Sequence, residues 1–122
     1  MHVIICGRRD YQFTVEDCAW LEHWHRILDI ERVYEGGQRG TDAEARAWAR
    51  ARGIEVRTCK AHWTTYLRAA RAARNATLLA RLVSEAEGRM VAVLAFPGGQ
   101  ETADLVRQAE AAGVWVIRQG EM

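Results

Sequence analysis

Five short runs rich in apolar and β-branched residues recur along the chain, each separated from the next by a helix-length segment. They are HVIIC at 2–6, RVYEGG at 32–37, IEVRT at 54–58, MVAVLAF at 90–96 and VWVI at 114–117. Between them, TVEDCAWLEHWHRIL reads as a helix with Thr14 as N-cap and Asp17 three residues on. TDAEARAWARARG is an Ala-rich helix capped by Thr41 or Asp42 and stopped by Gly53. KAHWTTYLRAARAARNATLLARLVSEAEG starts irregularly and becomes a long helix ending near Gly88. A last helix runs from about Glu101 to Ala112, with Gly113 behind it. Strands that follow one another through helices, without a hairpin, pair in parallel and need cover on both faces. The fold expected is therefore α/β, a Rossmann-like three-layer αβα sandwich on a mainly parallel five-stranded sheet. No linker, repeat or low-complexity stretch divides it, so one domain is expected over residues 1–122.

Composition narrows the function classes. The net charge is only +1, which weighs against a nucleic-acid partner, since non-specific affinity there comes from phosphate neutralisation. Lys60 is the one lysine among 17 basic residues, and arginine is the better planar partner for phosphate or carboxylate. The cysteines, Cys6, Cys18 and Cys59, are odd in number and form no C-x-x-C pair; Cys6 and Cys18 read as small core residues of a reducing compartment. The absence of a signal-peptide pattern and of a membrane-length apolar run makes a soluble, cytoplasmic protein the expectation. In HWH at 23–25 the two imidazoles would point about 200° apart on a helix, so no shared metal is expected.

In an open parallel sheet, ligands bind beyond the carboxyl ends of the strands. Three glycine turns map to that edge: CGRRD, EGGQRGTD and FPGGQET. Glycine there lets the backbone approach a ligand without a Cβ, and helix N-termini add outward N–H groups that suit phosphate. Arg39 could grip a phosphate and Asp42 could accept from a ribose hydroxyl, or the two could be a solvated arginine and a helix cap. Trp63 and Tyr66 could stack on a base or pack in the core. Arg68, Arg71 and Arg74 form a ridge at i+3 spacing, with Arg68 and Arg71 read as a solvated face. Neither G-x-G-x-x-G nor a Walker P-loop is present, and no Ser-His-Asp set can be identified. No cofactor is expected.

Taken in order, these stretches resemble the YspA-like branch of the SLOG superfamily, which also contains the LOG phosphoribohydrolases and the Rossmann-like domain of the Smf/DprA proteins. The branch pattern is similar to G-S-R-D, G-G-A-x-G-x-D, A-x-W, R-N and F-P-G-G-x-G-T. Here it falls on Gly7 to Asp10, Gly36 to Asp42, Ala61 to Trp63, Arg74-Asn75 and Phe96 to Thr102. The resemblance implies a pocket for a nucleotide or nucleotide-derived small molecule. Its lining would be drawn from Gly7, Arg8, Arg9, Gly36, Gly37, Arg39, Gly40, Asp42, Trp63, Arg74, Asn75, Pro97, Gly98, Gly99, Glu101 and Thr102. This chain departs from the pattern in several places. Arg8 stands where the family often has Ser, Glu101 where it often has Gly, and Leu67 and Arg71 where small residues are common. The catalytic glutamate of LOG enzymes corresponds to Leu105, which cannot transfer a proton, so LOG-type cleavage is not expected.

The leading expectation is binding or sensing of a nucleotide ligand. The alternatives are hydrolysis of an N-glycosidic or phosphate bond through Asp42, Glu101 or Asp104, and single-stranded nucleic-acid binding through the arginine ridge. A homo-oligomer, with a dimer favoured, is expected from the resemblance and from Trp20, Trp24 and Trp48, read as candidate interface residues.

Overall fold

The computed structural model describes residues 1–60 and 67–122, with side chains described outside 61–68. Its elements alternate as expected: β1 (His2–Cys6), α1 (Val15–Leu28), β2 (Arg32–Glu35), α2 (Thr41–Ala51), β3 (Glu55–Thr58), α3 (Leu67–Glu85), β4 (Val91–Ala95), α4 (Gln100–Ala111) and β5 (Trp115–Arg118). The five strands form one all-parallel sheet in the order β3-β2-β1-β4-β5. Side chains alternate across it. Val3 and Ile5 of β1 enter one core with Trp20, Leu21, Ala45 and Trp48 from α1 and α2. Ile4 and Cys6 enter the other with Leu78, Leu82, Leu105 and Ala109 from α3 and α4. Helices thus cover both faces, which is the Rossmann-like sandwich. Among the described residues, no helix is long and apolar enough to cross a membrane.

The first helix begins at a capping box. Thr14 Oγ1 accepts from the Asp17 N–H at 3.1 Å, and Asp17 Oδ2 accepts from the Thr14 N–H at 2.9 Å. Asp17 is buried and also accepts from the Tyr11 hydroxyl at 2.7 Å and from the Gln119 side-chain amide. Burial alone would raise its pKa, but those bonds outweigh it and hold the carboxyl below its ordinary value. One short polar residue therefore starts α1 and ties it to the segment after β5.

Three of the tryptophans turn inward. Trp20, Trp24 and Trp48 are all buried within this chain, which overturns their reading as interface residues. The Trp20 and Trp24 indoles both donate to the Glu121 carbonyl, at 2.7 and 2.9 Å, and the Trp48 indole donates to Glu22 Oε1 at 3.1 Å. Their bulk fills the space between α1, α2 and the sheet, while each N–H finds an acceptor at the margin.

At the amino edge of the sheet, the Tyr34 hydroxyl donates to Glu85 Oε1 at 2.6 Å. Arg32 bridges Glu55 at 2.7 Å and Glu85 at 2.9 Å in the same place. That edge is closed by ion pairs.

Candidate functional site

β1 and β4 are neighbours, but the helices that follow them lie on opposite faces, so the chain diverges on either side of a crevice. The backbone of Arg8 ties that crevice together. Its N–H donates to the Pro97 carbonyl at 2.9 Å, and its carbonyl accepts from the Thr41 N–H and the Thr41 hydroxyl, both at 3.0 Å. All three glycine turns are thereby bound to one another. Two glycines make the approach possible. A Cβ on Gly7 would stand 2.4 Å from Thr41 Oγ1, and one on Gly40, where φ is +72°, 2.3 Å from the Arg9 carbonyl group.

This bonding corrects the expected cap of α2. Neither Thr41 nor Asp42 caps it; the N-cap is Gly40, with no side-chain cap. The Thr41 hydroxyl is committed to Arg8, and Asp42 Oδ2 accepts from the Gln38 N–H at 3.2 Å.

Below the crevice lies a buried polar floor. Glu35 is fully buried at the end of β2, where it accepts from the Gly37 N–H at 2.6 Å, Arg46 Nη1 at 3.0 Å and the Thr58 hydroxyl. Arg74 is buried and donates to the Gly36 carbonyl at 3.2 Å and to Asn75 Oδ1 at 3.1 Å. A Cβ on Gly36 would meet Arg74 Nη1 at 2.1 Å, so only glycine admits that guanidinium. Asn75 Nδ2 donates to the Glu101 carbonyl at 3.1 Å and to Asp104 Oδ2 at 2.9 Å, which fixes the first turn of α4 against α3. Between these groups is a cavity of about 20 Å³, bounded in part by Cys6, Asp42 and Leu105, enough for one water.

Burial raises the Asp42 pKa to about 6, with Glu35 pushing the same way and the Gln38 N–H and Arg74 opposing. Burial first, and Asp42 second, push the Cys6 thiol up to about 12, so it is a neutral core residue rather than a nucleophile. A carboxyl whose folded-state pKa lies above its unfolded value destabilises the fold when it ionises. The cost is absent below the ordinary value of 3.8, grows as pH rises toward about 6 and is complete above that. Asp42→Asn keeps an acceptor for Gln38 and removes the charge. Urea melts are therefore expected to show the variant gaining up to about 3 kcal/mol at pH 7.5 and little at pH 4. A variant that is less stable at both pH values would contradict this assignment.

Above the floor is an open cleft of about 410 Å³. Its described lining takes Gly7, Arg8, Arg9 and Asp10 from the first turn, Arg39 from the second, Gly99, Gln100, Glu101 and Thr102 from the third, and Arg71 from α3. The volume is in the range of small-molecule sites. Arg8 pairs with Asp10 at 3.5 Å and lies over the Tyr11 ring. Glu101 points inward, in contact with Arg71 and with Gln38 Nε2 at 3.5 Å. Arg71 is accordingly half-buried, which corrects its reading as part of a solvated face. Arg9 and Arg39 are exposed, with no carboxylate partner among the described residues.

The remaining candidates separate from this cleft. Pro97 and Gly98 line a second groove, of about 490 Å³, between the β4 turn, α4 and β5. Gly99 and Thr102 border both spaces. Gly37, at φ +76°, packs against Thr58 and Lys60. Trp63, Tyr66 and the A-x-W stretch lie outside the described residues, as does the Arg68 side chain. Glu35, Gln38 and Arg71 belong to the site but were not expected there. The visible signal was an acid at the carboxyl end of a strand for Glu35, and position three residues before Arg74 for Arg71. Among the described residues, no group of three His, Cys, Asp or Glu side chains is arranged to hold a metal ion.

The family profile described as YAcAr (YspA, cpYpsA-related SLOG family) matches residues 1–66, more than half of the chain. The matched region takes in the first two glycine turns, while FPGGQET lies beyond it. No curated protein matches the chain.

Proposed function

Because the chain belongs to the YspA, cpYpsA-related SLOG family, we propose that it binds or senses a nucleotide or nucleotide-derived small molecule in the arginine-lined cleft. Membership suggests a nucleotide-related ligand-binding or modifying role. The observation that carries the finer reading is the Arg8 backbone, which holds three turns in one place and leaves Arg9 and Arg39 facing a common space. Guanidiniums at the carboxyl edge of a parallel sheet suit an anionic ligand, and planar forks suit phosphate in particular. A ligand bound only by the folded chain raises its melting temperature. At about 100 times Kd the stabilisation is about 2.7 kcal/mol, several degrees for a chain of this size. A panel of mono- and dinucleotides at millimolar concentration is expected to contain at least one that produces that rise. A flat panel would count against the reading.

A second reading is favoured by Asp42 alone. Burial raises its carboxyl to about 6, where it can take up or release a proton close to neutral pH. On that reading the chain cleaves an N-glycosidic or phosphate bond. Product formed from nucleoside monophosphates and lost in Asp42→Asn, with binding retained, would support it. Leu105 is buried in the apolar core, so the LOG-type glutamate position contributes no acid here.

A further inference from the structure

We propose that Glu101 is a built-in counter-anion that limits the charge the cleft accepts, restricting it to ligands that present a single dianionic group. The inference rests on the nucleotide reading above and assigns its specificity. Four guanidiniums, Arg8, Arg9, Arg39 and Arg71, and two carboxylates, Asp10 and Glu101, line the cleft among the described residues, leaving a net charge of +2. One phosphomonoester carries about −2 at neutral pH and matches that excess; a diphosphate overshoots it. The placement of Glu101 gives the match a geometric basis. Its carboxylate contacts Arg71 on α3 and Gln38 on the β2–α2 turn, and its own carbonyl is held by Asn75. It also borders the internal cavity, the arginine cleft and the groove between α3 and α4. A tethered anion so placed occupies the α4 side of the cleft and engages Arg71. The anionic part of a ligand is left to Arg9 and Arg39, and a second phosphate extending toward α4 meets a fixed negative charge.

The test compares inorganic phosphate with pyrophosphate, and adenosine monophosphate with adenosine diphosphate, by calorimetry on the wild type, Glu101→Gln and Glu101→Asp. The wild type is expected to bind each diphosphate no more tightly than its single-phosphate counterpart, despite the extra charge. Glu101→Gln raises the diphosphate-to-monophosphate affinity ratio roughly tenfold, the size expected for one partly screened charge at close range. Glu101→Asp, which keeps the charge, retains the wild-type ratio. A wild type that prefers diphosphates overturns the proposal without any variant, and so does an unchanged ratio in Glu101→Gln. If nucleotides bind and the ratio is unchanged, only the role of Glu101 falls. If none of the four probes binds either the wild type or Glu101→Gln, the charge-matching role falls, and the nucleotide reading stands or falls on the wider panel.

Discussion

Gly40→Ala is expected to lower the stability of the fold by about 3 kcal/mol or more, a drop of about 10 °C in melting temperature for a chain of this length. Gly99→Ala, in the third turn, is expected to stay within about 1 kcal/mol of the wild type. The contrast follows from surroundings rather than from the turns as such. At Gly40, φ is +72° and ψ is −128°, a conformation that L side chains rarely adopt. The added Cβ would also stand 2.3 Å from the Arg9 carbonyl group and 2.6 Å from the Arg8 oxygen. Neither can retreat without loss, because the Arg8 backbone is bonded to Pro97 and twice to Thr41. At Gly99, φ is −99° and, beyond its own stretch of chain, no atom of the described residues lies within 4 Å of the added carbon. Thermal melts of both variants by circular dichroism decide the point. Equal losses would mean that the Arg8 junction does not govern the geometry of this edge.

The Arg9→Gln, Arg39→Gln double variant is expected to lose about 100-fold in affinity for a nucleotide that the wild type binds, with little change in stability. Both side chains are exposed, with no carboxylate partner among the described residues, so neither serves the fold through an ion pair seen there. A charge-assisted hydrogen bond contributes about 1.5–3 kcal/mol, so losing two readily reaches 100-fold even after solvent screening. The residual binding should also respond less to added salt. Arg74 would be a poor probe, because it is buried against Gly36 and Asn75 and its removal would disturb the floor itself. Unchanged affinity in the double variant would move the ligand elsewhere on the molecule.

Much of this arrangement was legible along the chain. Apolar strands separated by helices allow few closures other than a parallel sheet, and glycine turns after strands one, two and four can only fall on its carboxyl edge. What remained hidden was the partner of each polar or amphipathic group. Helical spacing places Trp20 and Trp24 on one stripe, but that they turn inward depends on Glu121, about a hundred residues away. Arg71 and Glu101 are thirty positions apart, and only the packing of α3 against α4 makes them neighbours. Thr41 looks like a cap from local sequence, yet its hydroxyl is taken by Arg8 across the crevice. Likewise FPGGQET reads as one wall, whereas Pro97 and Gly98 open on the opposite side of the turn from Gln100 and Glu101. Local pattern specifies elements and faces; long-range contact decides which side of a turn a residue serves.

Where a nucleotide binds can be read from an amide nuclear magnetic resonance titration of the full chain with nucleotide at millimolar concentration. Saturable shifts are predicted at Gly7, Arg9, Arg39, Gly99, Glu101 and Thr102, with His2, Arg32 and Glu55 at the amino edge unmoved. No shifts, or shifts centred on the amino edge, would contradict the account.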